Sequence, residues 1–144
     1  MTLYLADSSI WGWANSGKRP DIQAKFADRF QAGEILTCAP VALEVMHRAR
    51  GGDEYEQIFR SLFEPLDVLP LAAEAGERAV EAQHEMAGTS DGNHLRPAVD
   101  YLIAAIAEAA GSEIVLWCFD RDLEIICEHT GQRCEPERSS GPRR

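Results

Sequence analysis

Short apolar runs alternating with helix-patterned segments leave this chain few ways to fold. Leu3 to Ala6, Ile35 to Ala39, Leu66 to Leu69 and Glu113 to Phe119 each have the length of a buried strand. Between them, Pro20 opens a segment with Ile22, Phe26 and Phe30 on one helical face, ended by Gly33. Pro40 suits the first turn of a helix that carries Val41, Leu43, Val45 and Met46 and closes at Gly51-Gly52, and Asp53 can cap another that stops before Pro65. Leu71 to Met86 is rich in Ala, Glu and Arg, Pro97 to Ala110 follows a loop at Gly88 to Gly92, and a final helix runs through His129 to a short strand near Arg133. Strand and helix in alternation predict an α/β fold, with a parallel sheet covered on both faces.

The 144 residues, 45% of them hydrophobic, suffice for one domain with a sizeable core. We place that domain at residues 1–135 and expect a disordered tail over 136–144, ending SSGPRR. Cys38, Cys118, Cys127 and Cys134 form no CxxC pair, which fits a reduced cytosol. The N-terminus has neither a basic segment before its apolar residues nor a run long enough for a membrane span, so a cytoplasmic location is expected.

Charge is distributed unevenly behind a net value of −10: residues 51–135 hold eighteen acids against five bases, whereas residues 1–50 hold five against six. A polyanion is therefore expected to approach near Lys18, Arg19, Lys25, Arg29, Arg48 and Arg50. The acidic balance argues against generic nucleic-acid binding but not against a metal-dependent nuclease, because bound cations supply positive charge where a phosphate sits.

In parallel sheets ligands bind beyond the carboxyl ends of the strands, where Asp7 and Asp120 stand. Glu44 interrupts APVALEVM and Asp100 interrupts AVDYLIAAIA, each near the start of a helix. Either could be an ordinary helix N-terminal acid stabilised by the macrodipole. Four acids converging is another matter, since a buried carboxylate needs compensation and a hard divalent cation is the usual remedy. Such an ion can make a water more acidic and polarise a phosphoryl oxygen, the requirements of phosphodiester hydrolysis. Asp122, two residues after Asp120, should point to the opposite side and serve the helix or a position behind the site.

The order DSS, PVALEVMHRAR, RPAVDYLIAAIAEAAG and VLWCFDRDLEIICEHTGQ over about residues 3–135 resembles the VapC group of PIN-domain toxins, the mycobacterial subgroup in particular. The resemblance implies a three-layer α/β/α sandwich with a mainly parallel sheet. It also implies a Mg2+- or Mn2+-dependent endoribonuclease, with Asp7 and Asp100 as metal ligands and Glu44 and Asp120 completing the acidic pocket. Ser8 occupies the place of a supporting hydroxyl. An RNA substrate, a VapB-type antitoxin and a homodimer are the implied partners. Apolar side chains in excess around Tyr55, Phe59, Leu62 and Phe63 independently suggest self-association. One departure is Cys118 in WCFD, where many relatives have His two residues before the fourth acid.

Three rivals can be weighed. Glu44-x-x-His47 and Glu81-x-x-His84 have the spacing of di-iron helical bundles, but five prolines from Pro20 to Pro97 cut the chain too short for four long helices. A phosphorylated receiver domain needs a lysine after a late strand, and the only lysines are Lys18 and Lys25. A PIN fold acting without catalysis, through a partner alone, is opposed by the presence of all four acids.

Overall fold

The computed structural model describes residues 1–137. Five strands, β1 (Leu3–Ala6), β2 (Ile35–Cys38), β3 (Asp67–Leu69), β4 (Ile114–Cys118) and β5 (Cys134–Pro136), form one sheet in the order β3-β2-β1-β4-β5. Every pairing is parallel. The helices are α1 (Ser8–Ala14), α2 (Pro20–Gln31), α3 (Ala39–Met46), α4 (Gly52–Ile58), α5 (Ala73–Ala87), α6 (Ala98–Ala110) and α7 (Arg121–Thr130). From β1 the chain builds outward to β2 and β3, then returns to place β4 and β5 on the other side. The order therefore reverses between β1 and β4, the position at which such sheets open a crevice.

Alternation along the strands sorts side chains between two layers of helices. Tyr4 and Trp117 share one face, where α2 covers them: Phe26 stacks on Trp117 at 6.1 Å, and the Arg29 guanidinium lies 3.7 Å from the Tyr4 ring centroid and 4.4 Å from that of Trp117. Leu116 and Cys118 point to the other face, toward α6, which buries Ile103, Ala104, Ile106 and Ala107 and packs in turn on α5 and α7. Trp11 and Trp13 divide as their spacing requires. Trp11 is fully buried between Phe63 at 4.7 Å and Phe26 at 4.8 Å, while Trp13 is half-buried against Phe119. An aromatic of this kind removes about 150–250 Å² from water, worth about 4–6 kcal/mol before entropy is charged against it.

Local chemistry moves several boundaries. α3 ends at Met46 instead of running to Gly51-Gly52, because Arg48 and Ala49 donate to carbonyls three residues back and tighten the chain into turns. Gly51 caps α4 in place of Asp53, which sits in the first turn, where its charge favours the helix dipole. The helix then widens over Phe59–Phe63, the Glu64 N–H reaching back five residues to Phe59 O at 2.8 Å, before Pro65 ends it. Pro97 caps α6 from outside instead of forming its first residue. Pro136 and Glu137, assigned to the tail from sequence, belong to the sheet edge: the Glu137 N–H donates to Cys118 O at 2.7 Å. The rest of the expected tail, residues 138–144, lies outside the described residues.

Candidate active site

Asp7 leaves the end of β1 with its backbone N–H bonded to Trp117 O at 2.9 Å, so the strand pairing itself aims its side chain into the crevice. It caps α1, and its Oδ2 accepts from the Ser9 hydroxyl at 2.8 Å and the Ser9 N–H at 3.4 Å. The Ser9 hydroxyl in turn accepts from the Phe119 N–H at 3.0 Å. One serine thus ties the end of β1 to the end of β4. Ser8, the residue expected to help, faces Glu44 and lowers its pKa. Ser9 occupies the position whose N–H an N-cap aspartate normally captures, a signal that the sequence carries.

Asp120 has the corresponding place after β4. Extended at φ −95° and ψ 127°, it caps α7 by accepting from the Asp122 N–H at 2.8 Å. That geometry overturns the expectation that Asp122 points away: Asp120 is not helical, so the rule for residues two apart on a helix does not bind it. Carboxylate oxygens of Asp100, Asp120 and Asp122 lie within 4.8 Å of one another. Asp122 is also held by Arg96, whose Nη1 donates to its Oδ1 at 2.7 Å while Nε and Nη2 hold Asn93 O and Oδ1. Nothing in the sequence marked Arg96, because its partner is 26 residues away.

Asp7 and Asp100 are buried, at 3% and 6% exposure, and Glu44 is half-buried. Asp7 Oδ1, Glu44 Oε1 and Asp100 Oδ2 are each buried without a hydrogen-bond partner. The cost appears in their proton affinities. Burial raises Asp7, with Asp120 adding to it; burial followed by Asp7 raises Glu44 against the pull of Ser8 and Arg48. Asp100 is pushed up to about 8 by burial and then by Asp120, Asp7, Glu44 and Asp122. All four acids expected from sequence thus feel one another. Buried carboxylate oxygens without partners, beside the close group of Asp100, Asp120 and Asp122, are what a hard divalent cation fits.

Two cavities meet at Arg48, and the first also takes in Glu44. One of about 540 Å³ is walled by Leu43, Leu71, Val99 and Leu102, and another of about 340 Å³ by Ser8, Trp11, Val45, Ile58 and Leu62. Exposed Arg48 borders both. Of the six bases expected to meet a polyanion, Arg19, Lys25, Arg29 and Arg50 are engaged with Asp21, Glu137, Glu135 and Glu54; of the other two, Lys18 and Arg48, it is Arg48 that borders Glu44. The di-iron alternative fails on geometry: His47, Glu81 and His84 are exposed, and Glu81 pairs with Arg78.

Comparison with known proteins agrees with the architecture. Ribonuclease VapC18 of Mycobacterium tuberculosis (strain ATCC 25618 / H37Rv) is 28% identical over 134 residues, which cover 92% of this chain and 93% of the relative. A crystal structure of DNA-bound VapBC from Salmonella typhimurium has a similar fold, with a TM-score of 0.69 at 19% identity, covering 94% of this chain and 98% of that one. The PIN domain family model matches residues 4–128, and the chain belongs to that family.

Proposed function

We propose that this protein is a divalent-cation-dependent endoribonuclease, the toxin half of a toxin–antitoxin pair acting in the cytoplasm. The observation that carries the reading is the close group of Asp100, Asp120 and Asp122, with Asp7 and Glu44 near enough to raise the Asp100 pKa and a buried oxygen left without a partner on each of Asp7, Glu44 and Asp100. Similarity to a VapC ribonuclease over nearly the whole chain supports it. Asp7 and Asp100 would hold Mg2+, or Mn2+ in its place, with Glu44 and Asp120 completing the pocket and Asp122 beside Asp100 and Asp120. When bound, such an ion offsets the repulsion of the carboxylates and polarises the phosphodiester.

The remaining work falls to the chain's own groups. Ser9 fixes the direction of Asp7, and Asp120 and the Arg96–Asp122 pair fix the start of α7. Asp100 keeps a proton near neutrality while the site is metal-free, a proton that must leave as the cation enters. Arg48 at the rim offers a phosphate the positive charge that the acidic pocket lacks.

The apolar walls of the two cavities suit an antitoxin of the VapB type that lays hydrophobic side chains beside Glu44 and extends a basic one toward the acids. Tyr55 and Phe59, each 43% exposed, suit a symmetric contact with a second copy. The decisive experiment is RNA cleavage by purified protein with Mg2+ or Mn2+, with EDTA, and with Asp7→Asn. Cleavage should require the ion and fall at least about 100-fold in the variant. Equal cleavage in EDTA would overturn the mechanism.

A further inference from the structure

Three of the four cysteines gather beside β4 and β5, Cys118 and Cys134 on the sheet face opposite Trp117. Cys118 closes β4 and Cys134 opens β5; the register pairs Leu116 with Cys134 and Cys118 with Pro136, so the two thiols stand diagonally on one face. Their sulfurs are 3.2 Å apart. A disulfide requires about 2.05 Å, so closure asks the two side chains to approach by about 1.2 Å. Cys127, from α7, lines the same surface cavity as Cys134.

Exposure separates the three. Cys118 and Cys127 are buried, whereas Cys134 is half-buried and lines a surface cavity of about 350 Å³ with Cys127, Glu124 and Gln132. A small oxidant arriving there meets Cys134 first. The contact with the Cys118 sulfur holds the Cys134 thiol below the usual thiol range. The accessible sulfur is thus also the nucleophilic one.

We propose that Cys134 and Cys118 are a reversible dithiol pair, a modification site at the β4–β5 edge whose oxidant is a hydroperoxide. The Cys134 sulfur attacks the peroxide, the O–O bond breaks, and a sulfenic acid forms as one water leaves. The Cys118 sulfur then attacks that sulfur, the S–O bond breaks, and a second water leaves. Two thiols lose two electrons and two protons, and hydrogen peroxide is reduced to two waters. Closure fastens β5 to the strand end that leads into Asp120, and a thiol reductant reopens it.

Peptide mapping under non-reducing conditions, on the full chain treated with equimolar hydrogen peroxide, tests this directly. The expected product is lighter by two hydrogens, contains the Cys118–Cys134 cross-link, retains Cys38 as a thiol and returns to the starting mass with dithiothreitol. Cys127→Ser should form the same bridge, and Cys134→Ser should form none. A free Cys118 beside a Cys134 sulfinic acid, or a bridge between Cys134 and Cys127, would overturn the proposal without reference to nuclease activity.

Discussion

Replacing Asp100 by Asn should make the metal-free protein more stable at alkaline pH while removing its nuclease activity. Burial and four neighbouring carboxylates raise the Asp100 pKa from 3.8 to about 8. The folded protein therefore binds that proton more tightly than the unfolded chain does. Its contribution to stability is complete below pH 3.8 and is lost as pH rises to about 8. At about 1.4 kcal/mol per tenfold change in proton affinity, the whole span amounts to about 6 kcal/mol. Solvent at the open side of the pocket and small side-chain movements reduce the realised figure to about 2 kcal/mol. For a domain of this size that corresponds to about 6 °C in Tm. Thermal melts of wild type and Asp100→Asn in EDTA should diverge by this amount at pH 9, the variant higher, and by less than about 2 °C at pH 5. Adding Mn2+ at pH 9 should raise the wild type and leave the variant nearly unmoved. An Asp100→Asn protein melting at or below wild type at pH 9 would refute the claim that these acids strain the fold.

Other expectations are equally direct. Ser9→Ala strands the Phe119 N–H and removes a donor from Asp7, which should cost about 1–3 kcal/mol in urea unfolding; an unchanged midpoint would show that water replaces the hydroxyl without loss. Asp120→Asn preserves the α7 cap, since Asn caps as well as Asp, so stability should hold within about 1 kcal/mol while RNA cleavage drops at least about 100-fold. Asp122→Asn should keep a measurable fraction of activity, and the reverse ranking would move the fourth ligand to Asp122. Light scattering at micromolar concentration should find a dimer that Phe59→Asp weakens; a monomeric wild type would remove the case for self-association.

The strands that hold the site could be read from sequence because each is a run of apolar residues buried on both faces, and a carboxylate at the end of such a run is conspicuous. β1 with Asp7 and β4 with Asp120 are of this kind. β5 escaped full recognition because Cys134–Pro136 is a short, half-exposed edge strand containing a charge and a proline, with no apolar run to mark it. Glu44 and Asp100 were visible for the converse reason, as charges within apolar helices. Ser9 and Arg96 show where one-dimensional reading stops, since their bonds to Phe119 and Asp122 span 110 and 26 residues. Helical periodicity does not relate Asp122 to Asp120, because Asp120 is the extended cap that precedes α7.

The pairing of β1 with β4 also bears on when the chain becomes dangerous. Asp7 leaves a ribosome long before its backbone partner Trp117, and the Ser9 bridge needs Phe119. Joining the first strand to the fourth closes a loop of more than a hundred residues, a contact of high sequence separation that forms late for entropic reasons. Through most of synthesis, therefore, the acids exist without a site. With the proposed activity, a nascent chain is harmless to the RNA around it until β4 has emerged and the sheet has closed.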